Sequence, residues 1–553
     1  MGLDKRMKNR IEQIDKNLDA IVKNPYQKEI VEKKPKRLPS WTKWALPLGG
    51  AVLTASLALG IVLPVTLLGG GLNANQGTGT ATASAPSRNS ADKELPHEEP
   101  SGSQTKNNPK HYDEYQNGTY TPENVNCLIS PNKGTSRDGV PSRMSETTYN
   151  SYRAFAKKFV TLMMEVNNPV DEEKSMAISI PDAYLSLAIT GIISDESGLQ
   201  DILSYLELED INALKNAAKQ IISNLGTMKK DYGGNDVGGL NLNSIWLNPG
   251  KMSLLAEKDE DLYRDLKNIF EASLYLDGLT SNKAKQYIGE NGLPDKPIPN
   301  IELPDDDDPA AVSVMSVYYD MDVFEASDWY QSQYQSGQHT MSYTVGGVTK
   351  QVDYIGQTER SNQIFENDNL TGTSLRLDNS HINFFLPKDE AAMPSTILGD
   401  VLDKNYSPKT FTYTSATGEE EDTTLCEVNV SAPYFFMENK ALLEKEDLTP
   451  LFPNLTSHGV ASRLASSKNG LPVSLDSILQ FSTMRFDYDG FYSCSVTIAL
   501  SDTETDERDH VVVDFALNRP YAFERSKYLR NSDGDYYEVP IIVGEIVDPN
   551  YLV

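Results

Sequence analysis

The C-terminal end of the chain constrains its fold more than any other stretch. Phe515–Phe523 and Ile542–Pro549 are apolar runs flanking an acidic turn, Asn531–Asp535. The Asp533-Gly534 pair tolerates the positive φ of a tight turn, so the chain closes with a β-hairpin. Upstream, Gly490–Leu500 reads Gly-Phe-Tyr-Ser-Cys-Ser-Val-Thr-Ile-Ala-Leu, a β-forming run without proline or charge. The polar, acidic stretch Ser501–His510 follows it. The order is therefore a strand-forming segment, a long exposed loop and a closing hairpin.

Charge divides the rest of the molecule. The 553 residues carry 50 basic and 79 acidic side chains, a net −29, which argues against nucleic acid because phosphate backbones need basic faces. Residues 1–43 hold twelve Lys/Arg and six Asp/Glu and are net +6, leaving −35 for the remainder. No charge occurs between Lys43 and Arg88, and Trp44–Leu68 is long enough for the ~20 apolar residues that span a bilayer. Trp41 and Trp44 stand at an interfacial position, and Lys33, Lys34, Lys36, Arg37 and Lys43 precede the apolar run, placing the N-terminus inside and the body outside. Residues 44–70 are read as an uncleaved, single-pass signal anchor, because the preamble exceeds an ordinary signal-peptide n-region and no small-x-small site ends the run. Residues 71–144, rich in Gly, Thr, Ser, Asn and Pro, are read as a flexible stalk, with Val125–Ile129 the one part able to pack on the body. Three cysteines, Cys127, Cys426 and Cys494, allow at most one disulfide.

Residues 145–553 read as one α+β domain. Tyr149–Val166 has a helical stripe, and Pro181–Ile193, Ser197–Leu206, Asp210–Leu225 and Leu254–Phe270 continue the helical half, with one strand at Asn241–Leu247. Beyond the Asp305–Asp308 turn strands dominate: Ala311–Tyr319, His339–Tyr343, His381–Leu386, Leu425–Ser431 and Tyr434–Phe436.

Five motifs in order resemble those of the serpin family. They are Ile178–Ala188, with its Pro181 opening a helix; Ser313–Tyr319; Ile382–Pro387, ending in Leu-Pro; Val428–Phe436 with Leu442, Leu443 and Leu448–Phe452; and the Phe515–Phe523 signature, with Phe515, Asn518, Arg519, Pro520, Tyr521 and Phe523 at its marked positions. They span residues 150–549, the whole body. The resemblance implies a serpin fold with an exposed reactive-centre loop. It implies a monomeric, non-enzymatic inhibitor whose partner is a serine or cysteine endopeptidase, with no cofactor. In that family the protease cuts the loop, and the segment before the cut inserts into the main sheet, carrying the acyl-enzyme with it before it hydrolyses.

The resemblance assigns the loop hinge to Gly490, Phe491, Tyr492, Ser493, Cys494, Ser495, Val496 and Thr497. Strand alternation would bury Phe491, Ser493, Ser495 and Thr497 on insertion and expose Tyr492, Cys494 and Val496. Phe491 is larger than the small residue the family places there, so it is expected to overpack the slot and slow entry. Met315 and Gln480 align with the asparagine and histidine that usually hold the sheet closed, and Val323 aligns with the usual tryptophan. Family spacing puts the scissile bond near Glu504 counted from Gly490, or near Glu507 counted from Phe515; Arg508 is the loop's only basic residue. Arg508 implies a trypsin-like target, a glutamate a Glu-specific one. The alternative is a non-inhibitory serpin-fold binding module.

Other chemistries find little support. The six histidines form no His-Glu-x-x-His helix and the cysteines no Cys-x-x-Cys pair, so no dedicated metal site is expected. Gly-x-Ser-x-Gly and the phosphate-binding loop motif are absent.

Overall fold

Capping side chains set most of the helix starts. The computed structural model describes residues 127–130, 143–168, 174–226, 228–230, 236–293, 296–304, 306–322, 340–377, 380–414, 418–487, 490–493, 511–531 and 533–549. Ser145 accepts a hydrogen bond from the Thr148 amide to open α1 (Glu146–Asn167), which buries Tyr152, Phe155, Phe159 and Met163 along one stripe. Pro181 begins α2 (Pro181–Ile193), buried on nearly every side. Asp195 caps α3 (Glu196–Tyr205), and Asp210 caps α4 (Ile211–Leu225) through two amides. The expected helix over Leu254–Phe270 is shorter than its apolar content suggests. Asp259 caps α5 only from Glu260 to Asn268, and Met252–Leu254 is instead a strand paired with Ala465–Ser467. Three further helices are α6 (Ser281–Asn291), α7 (Leu398–Asp403) and α8 (Lys445–Leu448).

The strands, numbered in chain order, form three main sheets among the described residues. The largest runs β1 (Cys127–Ile129), β6 (Ala272–Tyr275), β4 (Asp236–Leu247), β7 (Val312–Asp322), β20 (Gly490–Ser493), β19 (Ser477–Asp487) and β17 (Phe435–Glu444), with β3 (Met228–Lys230) paired to β4. The second runs β13 (Ser407–Pro408), β10 (Ile364–Glu366), β11 (Leu370–Arg376), β12 (His381–Pro387), β22 (Tyr521–Arg530), β23 (Tyr536–Ile546) and β2 (Met176–Ser179). The third runs β21 (Val512–Ala516), β16 (Cys426–Pro433), β9 (Val348–Asn362) and β8 (Thr340–Val345). Two small ribbons pair β14 (Phe411–Thr414) with β15 (Glu420–Thr423), and β5 (Met252–Leu254) with β18 (Ala465–Ser467). β22 and β23 are the closing hairpin, and Gly534 takes a φ of 100° in its turn.

The core lies between the first two sheets. Phe435 and Phe486 of the first meet Phe523 and Phe384 of the second at ring separations of 5.6 and 6.0 Å. On the other face of the first sheet, Tyr287 of α6 packs edge-on against Trp246 and Tyr275. Within the segment read as stalk, Cys127–Ile129 form β1, fully buried and paired with β6, so that reading does not extend to these three residues. Cys127 and Cys426 are buried thiols outside any disulfide among the described residues, while Cys494 lies outside those residues. No helix among the described residues is long and apolar enough to cross a membrane; the uncharged run 44–70 lies outside them.

One buried carboxyl makes the fold pH-sensitive. Glu545 on β23 is 1% exposed; Asn168, the C-cap of α1, donates to one of its oxygens, and the other has no partner. Burial pushes its pKa from 4.5 up to about 7, against the lowering hydrogen bonds of Asn168 and the Ser395 backbone. The folded form therefore holds the proton that the unfolded chain releases near pH 4.5. Its contribution is complete below that pH and is lost as pH rises through about 7. Between pH 5 and 8 the loss should be on the order of 3 kcal/mol. Denaturant midpoints at those two pH values should lie closer together in Glu545→Gln than in the parent chain; an unchanged pH slope would assign the effect elsewhere.

Candidate functional site: the hinge in the main sheet

Of the segment read as a hinge, Gly490–Ser493 are described, and they form β20. β20 pairs antiparallel with β19 on one side (Phe491 opposite Phe486, Ser493 opposite Met484) and with β7 on the other (Phe491 opposite Asp322, Ser493 opposite Asp320). Among the described residues β7 and β19 share no direct pairing; β20 stands between their ends. Gly490–Ser493 are thus a sheet strand between β7 and β19.

Phe491 occupies a buried position in β20. It is 2% exposed, opposite Phe486, and the Arg525 guanidinium carbon sits 4.9 Å from its ring centre. The inner face at this level combines the Arg525 guanidinium and the acidic Asp322 with the buried ring of Phe486. Arg525, on β22, is 1% exposed. Its Nε donates to Asp320 Oδ2 at 2.9 Å, and its Nη2 donates to Asp322 Oδ2 at 3.1 Å and to Asp320 Oδ1 at 3.3 Å. Nη1 donates to the Ser380 hydroxyl, which donates in turn to Asp322. Burial opposes the guanidinium charge, but Asp320 and then Asp322 outweigh it and hold the pKa above its ordinary value. Tyr492 points to the other face, half-buried, its hydroxyl donating to the Pro297 carbonyl at 3.0 Å with Lys296 5.7 Å from its ring.

This buried charge cluster escaped the sequence reading. Part of its signal was present: Asp320 and Asp322 are two apart on one strand and so share a face, and Arg525 follows the apolar start Tyr521–Phe523 of its strand. Only the packing of the first sheet on the second brings the three together.

Lower in the slot, Gln480 and Met315 take different roles. Gln480 is buried; its Oε1 accepts from the Ser179 amide at 3.0 Å, and its Nε2 donates to the Ser179 carbonyl at 2.7 Å and to Asp182 at 3.3 Å. Burial raises the Asp182 pKa to about 6, opposed by hydrogen bonds from Ser179 first and Gln480 among the others. The glutamine therefore ties β19 to β2 beneath the sheet. Gln480→Leu should cost about 1–3 kcal/mol by stranding the Ser179 backbone groups, read as a drop in the urea midpoint; a change under about 0.5 kcal/mol would deny it this role. Met315 is half-buried on the opposite face, packed with the cluster around Trp246 and Tyr287.

The signature segment joins the second and third sheets. Phe515 is buried in β21, the Asn518 carbonyl accepts from the Thr344 amide at 2.8 Å, and Arg519 Nη2 donates to the Pro387 carbonyl at 2.7 Å. Pro520 is half-buried; Tyr521 and Phe523 are fully buried at the start of β22, and burial drives the Tyr521 pKa far up. Cys494, Ser495, Val496, Thr497, Glu504, Glu507 and Arg508 lie outside the described residues, as does Val323. Among the described residues no cluster of His, Cys, Asp and Glu could hold a metal. In the acidic turn, Asp306 accepts from the Ser281 amide and hydroxyl, and Asp308 pairs with Lys251.

Neither a protein-family profile nor a curated protein matches this chain. Solved structures do match. The native form of tengpin, a thermophilic serpin, superposes with a TM-score of 0.54 at 16% identity, over 77% of this chain and 99% of its own. Serpin48 of the insect Tenebrio molitor gives 0.52 at 15%, over 73% and 99%, and an Arabidopsis serpin in its native stressed conformation 0.52 at 15%, over 74% and 100%. At this identity the likeness is one of fold, and that fold is the serpin fold.

Proposed function

We propose that this chain is a serpin-type trap for a serine or cysteine endopeptidase, carried outside the cell membrane on residues 44–70. The observation that carries the reading is the hinge itself, seated between β7 and β19 with antiparallel pairing on both sides. Continuing that register after cleavage sets Ser495 between Tyr318 and Ser482, and Thr497 between Ser316 and Gln480, on the face Phe491 occupies. Val496 falls on the other face between Val317 and Phe481. The Ser316 hydroxyl is buried without a hydrogen-bond partner, which favours a strand presenting a hydroxyl opposite it. Small polar side chains thus meet the polar inner face, and the apolar one meets the cluster under α6.

The test is incubation of the full-length chain with trypsin-like and Glu-specific proteases, followed by denaturing electrophoresis. An adduct of chain plus protease, with the cut mapped at Arg508, Glu507 or Glu504, is the expected result. Cleavage within Ser501–His510 by each protease with no adduct would replace the trap by a serpin-fold binding module. Protease shaving of intact cells should remove the body and spare residues 1–43; a protected body would reject the membrane display.

A further inference from the structure

A solvent-open cavity of about 400 Å³ lies where β21 and the signature segment meet the edge of the second sheet. That volume is within the ~300–1,000 Å³ range of small-molecule sites. Its apolar floor is Ile364 of β10, Leu386 of β12, Phe411 of β14 and Phe515 of β21, and its polar wall carries Lys409 and Arg519.

The electrostatics of this wall are unbalanced. Arg519 spends Nη2 on the Pro387 carbonyl, but its Nε is buried with no hydrogen-bond partner. A guanidinium N–H without an acceptor is a charged donor whose desolvation nothing offsets. Lys409 and Lys388 share the single carboxylate of Glu366, at 3.3 and 3.8 Å. Asp514, the acid on the wall, already accepts from Asn429 at 2.8 Å. Two cations, Lys409 and Arg519, therefore line the cavity against one carboxylate, Asp514, that is already engaged, in a chain whose net charge is −29.

We propose that this cavity binds a small amphipathic carboxylate. The carboxylate accepts from Arg519, whose fork of N–H groups suits two oxygens, and the apolar body covers Phe411, Phe515, Ile364 and Leu386. Lys409 supplies long-range attraction rather than a required bond. The site contains no hinge residue, so binding is independent of trapping, and a chain without inhibitory activity should bind equally well. Because Val513–Ala516 form one wall, an occupant also ties β21 to the second sheet.

The probe is 4-phenylbutyrate, titrated calorimetrically into the full-length chain, with 4-phenylbutanol and 4-phenylbutylamine as uncharged and cationic counterparts. Saturable one-to-one binding of the acid, at least about tenfold tighter than the alcohol and with no measurable binding of the amine, is expected. Arg519→Gln should weaken the acid by about tenfold or more, and Lys409→Met by severalfold. Ala516→Phe, which fills the cavity and leaves both cations in place, should abolish binding with the melting temperature unchanged. Arg519 also bonds the Pro387 backbone, so if Arg519→Gln fails to fold, Lys409→Met and Ala516→Phe decide. Equal affinity for acid and alcohol, no binding of the acid, or retained affinity in folded Ala516→Phe would overturn the assignment.

Discussion

Arg525→Met should destabilise the chain by about 3–5 kcal/mol, the effect of leaving partners of a buried ion cluster uncompensated. Asp320 and Asp322 are both buried and both bond this guanidinium, so its loss strips each buried carboxylate of a close cationic partner. The control is the triple variant Arg525→Met, Asp320→Asn, Asp322→Asn, which removes all three charges and should recover a large part of the loss. Urea midpoints of the single and triple variants read this directly. A loss below about 1 kcal/mol in the single variant would mean that the cluster is not held by charge. Arg525 also covers Phe491, so the hinge amides should exchange faster in the single variant even under conditions where the fold persists.

Cleavage of the loop should raise the melting temperature by at least about 10 °C. A domain this large gains roughly 2 °C per kcal/mol, so that rise needs about 5 kcal/mol. Ladder hydrogen bonds worth about 0.5–1.5 kcal/mol each over the residues after Ser493 supply it, with side-chain burial in addition. Identical melting of cut and uncut chain would reject insertion. Phe491→Thr separates two views of the hinge. If Phe491 were a steric brake, threonine would speed entry and raise the trapped fraction. The buried seat against Arg525 and Phe486 makes it an anchor, so the variant should lower the trapped fraction and speed exchange of the amides of Phe491–Ser493 by about tenfold. A higher trapped fraction would restore the brake.

The local signals in the chain were the readable ones. Asp210 as a cap, Pro181 at a helix start and the Asp533-Gly534 turn are choices made within a few residues, and α2, α4 and the closing hairpin follow them. Leu254–Phe270 misled because apolar content alone does not separate a strand plus a capped helix from one long helix. The hinge could be placed only by resemblance, and its surroundings not at all. Arg525 meets Asp320 across 205 residues, and no period in the sequence encodes that meeting. The fate of Phe491 followed from the same gap, since its size was known and the shape of its seat was not.

β1 carries a consequence for how this molecule behaves in company. Its three residues cover the outer edge of β6, the flank of the largest sheet farthest from β17. Without them the backbone donors and acceptors of Ala272–Tyr275 on that side would stand unpaired beside Trp246 and Tyr275, an open template for another chain's strand. A body beginning after Ile129 should therefore associate as its concentration rises, whereas one that keeps Cys127–Ile129 stays dispersed. The short segment Cys127–Ile129 acts as a selvedge that keeps the sheet from being extended by its neighbours.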